Sequence, residues 1–290
     1  MTDLVHIIGA SGRSGAALTR VLLARGETVV PVVRDAGKWT ATGLPPDARI
    51  ADLRDPAALH AALADAESIV SCAHARHAAA IIAAAPPDAR LIFLGSTRKF
   101  THWPDDHGNG VLAGEAALLS SGRRGVMLHP TMIYGAQGEN NVRRLAGVLQ
   151  RLPFVPLPNG GRALVQPVHQ DDVTAAVLAA LAFDWPGPDS LVIAGPSPLS
   201  YADFVRSVAG AAGLPPPRIV NFPAAPLIAA AWIARLLPFL PDVGPAEIRR
   251  LLEDKAFDIA PARAALGFDP MPLHEGLART FGSPHHQQES

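Results

Sequence analysis

The sequence predicts an α/β fold, a doubly wound parallel sheet followed by a smaller, mostly helical C-terminal lobe. Three observations carry this. Short runs that are apolar throughout alternate with helical patterns over the first half of the chain. A glycine triplet, Gly9, Gly12 and Gly15, joins the first apolar run to the first helical pattern. After Pro130 prolines become frequent and helical patterns dominate. Strands that are apolar on both faces need cover on both faces, which is the setting of a parallel sheet between helices.

Taken in order, the strand candidates of the first half are Leu4–Ile8, Thr28–Val33, Arg49–Ala51, Ser68–Cys72, Leu91–Leu94 and Val126–Leu128. Helical patterns run over Arg13–Arg25, Pro56–Leu63, His74–Ala84 and Val111–Ser121. In the first of these Ala17, Leu18, Val21, Leu22 and Ala24 form one apolar stripe, and Gly26 suits the C-cap. Beyond Pro130, helices are expected at Asn141–Arg151, Asp171–Ala182, Tyr201–Ala212, Leu227–Leu237, Ala246–Leu252 and Leu273–Phe281. Strands are expected at Ala163–Val168 and Leu191–Ala194. The division that follows is 1–135 for the sheet domain, 136–282 for a lobe interleaved with it, and a frayed polar tail at 283–290.

Composition narrows the partners. A chain of 290 residues with a net charge of -1 has no broad basic field, so nucleic acid is not expected to bind. The single cysteine, Cys72, excludes an intramolecular disulfide, suits a reducing cytoplasm, and lies in an apolar run as a structural thiol. No basic segment precedes the run from Leu4, so no secretory signal is expected. The apolar stretch from Pro223 to Pro241 is interrupted by Pro226, Arg235 and Pro238, leaving it short of the ~20 residues a span needs. It reads as a helix of the lobe, with a membrane or protein partner as the lesser alternative.

The segment Val5-His6-Ile7-Ile8-Gly9-Ala10-Ser11-Gly12-Arg13-Ser14-Gly15 has a mechanical meaning. Gly9 lets the strand turn sharply, Gly12 lets a pyrophosphate approach the backbone, and Gly15 lets the helix pack close to the sheet. The N–H groups of the helix start, at Ser11 to Ser14, are offered to the anion. Following a strand and opening an amphipathic helix, the triplet predicts a nicotinamide dinucleotide site of the Rossmann type. The second strand then ends in Val33-Arg34-Asp35, with Lys38 one helical turn beyond Arg34. Arg34, Lys38 and Arg13 near one point favour the 2′-phosphate of NADP; Asp35 on the ribose hydroxyls would favour NAD instead.

With these residues in view the chain resembles the short-chain dehydrogenase/reductase superfamily, in its extended and atypical branches. The likeness is carried by Gly9–Gly15, Ala51-Asp52-Leu53, Leu94-Gly95-Ser96, His129-Pro130-Thr131-Met132-Ile133-Tyr134-Gly135 and Gln166-Pro167-Val168-His169-Gln170-Asp171-Asp172-Val173. It continues through Phe257-Asp258-Ile259, Ala265-Leu266-Gly267-Phe268 and Pro272-Leu273-His274-Glu275-Gly276-Leu277. The resemblance implies an epimerase/dehydratase-like fold in which Asp52 and Leu53 lie near the adenine, with Ala73 and Pro130 also against the cofactor.

Catalysis in that superfamily rests on a Tyr followed four residues later by Lys, and this chain lacks the pair. Its tyrosines are Tyr134 and Tyr201, its lysines Lys38, Lys99 and Lys255, and no combination has the spacing. Glu115, Gly122, His129-Pro130 and Tyr134-Gly135 keep the family's later spacing, which puts His107 where the Tyr would be and Val111 where the Lys would be. His129 also replaces the family's Arg. An imidazole at 107 is a candidate proton donor, oriented by Asp105 or Asp106, against the alternative that His102–Gly110 is a polar surface loop. The two His and two Asp of that loop are not expected to bind metal, because so flexible a segment lacks the ligand geometry. Ser96 and Thr97, at the carboxyl end of the fifth strand, offer hydroxyls to a substrate or cap a helix. Asn140-Asn141-Val142-Arg143-Arg144 presents polar groups to the cleft or begins a helix.

Two functions follow. One is an NAD(P)-dependent oxidoreductase or epimerase on a small carbonyl or sugar-like substrate, its proton coming from another group or water. The other is a binding module in which the nucleotide signals without turnover, as implied by likeness to NmrA-like redox sensors and the nucleotide-binding accessory subunit of respiratory complex I.

Overall fold

In a computed structural model, the structure describes residues 4–45, 47–135, 141–152, 154–226 and 249–282. Seven strands form one all-parallel sheet. They are β1 (Val5–Ile8), β2 (Val29–Val33), β3 (Arg49–Ile50), β4 (Ser68–Ser71), β5 (Arg90–Leu94), β6 (Gly125–Pro130) and β11 (Pro188–Ile193). Their spatial order is β3-β2-β1-β4-β5-β6-β11, so the winding reverses between β1 and β4. Register pairs Ile8 with Val32 on one side and with Ser71 on the other, which brings those strand ends level. Such a reversal opens a crevice at the carboxyl edge of the sheet, where ligands of open α/β sheets bind.

Two apolar layers cover the sheet. On one face α1 (Arg13–Ala24) and α7 (Gln170–Ala182) pack on Val5, Ile7, Ile92, Val126 and Leu128. On the other, α3 (Pro56–Leu63), α4 (Ala78–Ala84) and α5 (Asp106–Ser121) pack on Ile8, Ile69, Leu91, Phe93 and Met127. Strands buried on both faces explain their continuous apolar sequence. Asp55 caps α3 through the N–H groups of Ala57 and Ala58, with Pro56 at its start.

The later residues return to the sheet and also build a third core. Strand β11 completes the sheet beside β6, over six residue pairs. The third core joins Tyr134, Val142, Phe204, Val208 and Leu277, from β7 (Ile133–Tyr134), α6 (Asn141–Leu149), α8 (Tyr201–Ala211) and α10 (Leu273–Phe281). Asn141 thus begins a helix, as one of its two readings had it. The other elements are α2 (Ala36–Thr40), β8 (Phe154–Pro158), β9 (Leu164–Val165), β10 (Val168–His169), β12 (Leu199–Ser200), β13 (Arg218–Phe222) and α9 (Ala260–Leu266).

Several expectations needed correction. Helix α5 begins at Asp106, five residues before the expected start, so most of the second half of His102–Gly110 is helix rather than loop. Glycine there serves packing: a Cβ on Gly114 would stand 2.1 Å from the Ala75 carbonyl oxygen. The segment expected as one helix from His74 is a 3₁₀ turn, Ala75–His77, and then α4. Ala163–Val168 is divided between β9 and β10. The proline-rich β8 pairs in parallel with β13, a ribbon that alternation did not suggest; each strand has one neighbour, so Pro156 and Pro158 break no second ladder. The expected helix Leu227–Leu237, residues 246–248 of Ala246–Leu252, Asn140 and the tail 283–290 lie outside the described residues. Among the described residues no helix is long and apolar enough to cross a membrane.

Candidate functional site

The glycine turn lies at the end of β1, beside the reversal. Gly9 has φ 75°, and Gly12 donates its N–H to the Gly9 carbonyl at 2.9 Å, which closes the turn. At Gly15 a Cβ would stand 2.3 Å from the Gly9 carbonyl oxygen, so only glycine lets α1 start this close to the strand. Gly12 is the N-cap and supplies no side-chain acceptor, and α1 has no acidic residue in its first turn. The cap therefore offers the leading N–H groups of this twelve-residue helix no side-chain acceptor, which is the electrostatics of an anion site. Ser14 is committed elsewhere: its hydroxyl donates to Gln170 Oε1 at 2.9 Å and ties α1 to α7.

Beside this turn a cavity of about 520 Å³ runs toward the end of β2. Gly9, Ser11, Gly12, Arg34, Lys38, Asp52, Leu53 and Ala73 line it, so eight expected cofactor residues come together. Asp35, Arg54, His74 and His77 line it too. Asp35 accepts the Lys38 N–H at 3.1 Å as the N-cap of α2. Asp52 accepts Nε of Arg54 at 3.1 Å and Nη2 at 2.7 Å, and these bonds hold its carboxyl far below the usual range. Both carboxylates are engaged within the chain, while Arg34, Lys38 and Arg54 bring three cations to the same wall. Arg13 departs from expectation: it lines a second cavity on the α1 face and not this one. Arg54, His74 and His77 were not singled out in the sequence, although Arg54 follows the Asp52-Leu53 pair directly.

The strand ends facing the crevice are held by their own bonds. Ser96 Oγ accepts the Arg98 N–H at 3.2 Å, capping the turn Thr97–Phe100, so the capping reading is realised. Thr97 Oγ1 lies 3.4 Å from the carbonyl of Pro130, which is buried at the end of β6. His107 sits in the first turn of α5, its ring edge-to-face with that of His74 at 4.4 Å between centroids. It thus reaches the wall of the cavity beside the glycine turn through His74. Burial lowers His107, as does nearby Arg98, and His74 is lowered to about 4 by burial and by His107. Asp105 bonds Gly108 N–H at 2.8 Å and Nε of Arg98 at 2.8 Å, so it caps α5 instead of orienting His107. Val111, in the family's Lys position, is buried. Burial pushes the free Cys72 thiol up to about 12.

Behind Ser96 lies a polar cluster that sequence reasoning did not assemble. His129 Nδ1 accepts the Ser96 N–H at 3.2 Å, which leaves the ring proton on Nε2, 3.2 Å from Glu115 Oε1 and 3.1 Å from Ser190 Oγ. Lys99 and Ser190 both donate to Glu115. Burial works to raise the Glu115 carboxyl, but the bonds from Lys99 and Ser190 outweigh it and leave it below its ordinary value. His129 is lowered to about 4 by burial and by Lys99, so the cation that partners Glu115 is Lys99. The signal that could have found it is that a neutral His129 cannot neutralise Glu115, a partly buried carboxylate, which therefore draws its counter-ion from another element.

Comparison with known proteins gives the same picture. Residues 9–110 match the NAD(P)H-binding family. An uncharacterized protein of Mycobacterium tuberculosis strain H37Rv is 28% identical over 214 residues, which is 73% of this chain; the chain spans only 23% of that relative's length. Among solved structures, a UDP-glucose 4-epimerase of Thermotoga maritima with UDP-glucose has a TM-score of 0.71 at 16% identity, covering 96% of this chain and 97% of the other. A short-chain dehydrogenase/reductase superfamily protein of Agrobacterium tumefaciens with bound NAD has a TM-score of 0.69 at 15% identity, covering 96% and 95%. At these identities the likeness establishes the fold.

Proposed function

We propose that this chain, which carries an NAD(P)H-binding domain in the fold of the short-chain dehydrogenases and epimerases, binds NADP(H) and acts on a small carbonyl or sugar-like substrate. One observation carries the NADP assignment. Arg34 and Lys38 share a cavity wall whose two carboxylates are already engaged, Asp35 as the cap of α2 and Asp52 by Arg54. Guanidinium groups pair with a phosphate dianion by charge-assisted, forked hydrogen bonds, which a ribose hydroxyl cannot repay. The uncapped start of α1 and the clearance at Gly15 fit the pyrophosphate. The sugar-like class is suggested by the fold's occurrence in epimerases that act on nucleotide sugars.

Bound across this crevice, a nicotinamide would supply or accept hydride. What the chain itself contributes is position and a hydrogen bond. His107, lowered by burial, is neutral at pH 7, and its ring N–H would hydrogen-bond a substrate oxygen rather than deliver a stored proton. The Lys99–Glu115–His129 cluster fixes the Ser96 backbone at the crevice.

A second reading is a non-catalytic NADP(H) sensor or accessory protein. It is favoured by the commitment of Ser96, Thr97 and Asp105 to bonds within the chain. Titration of the purified chain with NADPH and NADH by fluorescence, followed by a panel of carbonyl compounds, separates the readings. NADPH is expected to bind more tightly than NADH and to be oxidised, with His107→Ala abolishing oxidation. Tighter NADH binding refutes the cofactor assignment. Tight NADPH binding without turnover establishes the sensor.

A further inference from the structure

We infer that the groove over the outer face of α1 is a second anion site, for a small molecule bearing a diphosphate. This groove holds about 990 Å³, and its floor is made of small residues, Gly12, Ala16 and Ala17. Arg13, Arg20, Arg143 and Arg279 line it, against a single lining carboxylate, Asp171. The four arginines come from α1, α6 and α10, so only the tertiary fold gathers them. In a chain of net charge -1 this is a concentrated positive field rather than a share of a general one.

Two of the arginines are already oriented. Arg143 donates to the Thr280 carbonyl and lies 5.7 Å over the Phe281 ring. Arg279 donates to Glu275 at 2.7 Å and approaches Asp171 at 3.5 Å. Each guanidinium has five N–H donors in a fixed fork, so these bonds set its direction and leave donors for an oxyanion. Arg20 makes no hydrogen bond or ion pair among the described residues.

His169 supplies the independent observation. It lines the groove with its side chain 4% exposed. Its Nδ1 accepts the Asp171 N–H at 3.2 Å, so the proton sits on Nε2, a buried donor with no partner among the described residues. A buried donor left unmade is costly; it lies against Gly135, which also lines the groove, so an anionic oxygen that reached it past Gly135 would satisfy it. The volume exceeds what inorganic phosphate fills and lies within the range of sites for nucleotide-sized ligands. Because Ser11 and Gly12 line both cavities, a ligand here abuts the dinucleotide at the glycine turn, yet it needs none of Arg34, Lys38 or Arg54.

Calorimetric titration of the full chain, saturated with NADPH, with inorganic pyrophosphate tests the assignment. Saturable binding at one site per chain is expected, weakened about tenfold by Arg20→Gln or Arg143→Gln, as loss of a charge-assisted contact implies. Arg218→Gln, on the remote β13, should leave it unchanged. The inference is overturned if pyrophosphate fails to saturate the chain or if NADPH displaces it. It is equally overturned if Arg20→Gln has no effect, or if Arg218→Gln weakens binding as much, which would mark a non-specific charge effect. Arg20 is exposed on α1, so its loss leaves the fold intact and keeps the result readable. The titration without NADPH separates the two sites: if only the cofactor reading fails, pyrophosphate binding still responds to Arg20.

Discussion

Substituting Gly15 by Ala tests the link between the glycine turn and the site it builds. The added Cβ would stand 2.3 Å from the Gly9 carbonyl oxygen, 2.8 Å from Ala10 Cα and 2.9 Å from the Gly9 carbonyl carbon. All three are backbone atoms, so no side chain can swing aside, and α1 must draw back from the end of β1 by about 1 Å to reach ordinary contact. Forced overpacking of this kind costs ~1–3 kcal/mol. Alanine's better helix propensity returns ~0.8–1 kcal/mol of that. The net loss, up to about 2 kcal/mol, corresponds to a fall in Tm of as much as roughly 8 °C for a chain of this size. Moving the leading N–H groups of α1 should also weaken NADPH about tenfold or more, through lost charge-assisted hydrogen bonds. The comparison variant is Gly147→Ala in α6, where a Cβ meets nothing within 4 Å. There the propensity term acts alone, and a small rise in Tm is expected. Thermal unfolding and fluorescence titration measure both effects. If Gly15→Ala kept wild-type Tm and NADPH affinity while Gly147→Ala behaved as stated, the close-approach argument would be wrong.

Other consequences are checked in parallel. Arg34→Gln should weaken NADPH about tenfold in fluorescence titration while changing NADH little, since only NADPH carries the 2′-phosphate; equal losses would refute the phosphate role. Lys99→Met leaves Glu115 without its cation, and urea unfolding should show a loss of about 2 kcal/mol, less than the ~3–5 of a fully buried pair because Ser190 and His129 still bond the carboxylate. Lys99→Met combined with Glu115→Gln should recover part of that loss, and a purely additive result would deny the coupling. His129, lowered to about 4 from an ordinary 6.5, binds its proton more readily in the unfolded chain. Its contribution is therefore complete above pH 6.5 and lost as pH falls toward 4. His129→Gln should make the acid limb of a Tm–pH profile shallower, and an unchanged limb would assign the acid sensitivity to other histidines.

The legible part of this protein is local. The first-half strands were apparent because their residues are apolar on both faces, and α1 because its apolar stripe follows a glycine turn. Where signals competed, sequence misled: Gly108, Gly110 and Asp105 suggest a loop but are the cap and packing contacts of α5. Prolines likewise hid β8, which tolerates them because it has one neighbour.

By itself, then, the sequence determined the dinucleotide turn and the alternation that builds the parallel sheet, because both depend on contacts within a few residues or on a repeating pattern of burial. The glycine spacing survives intact from chain to fold. Tertiary structure alone decided which charges meet. Arg54 joins Arg34 through the adjacency of β2 and β3, and Lys99 reaches Glu115 only because α5 covers β5 and β6. Arg20 and Arg279 share a groove across more than half the chain's length because α10 packs on α8 and on β10, which leads into α7 beside α1. Coulomb forces act through space, so a cluster drawn from distant segments leaves no period in the sequence.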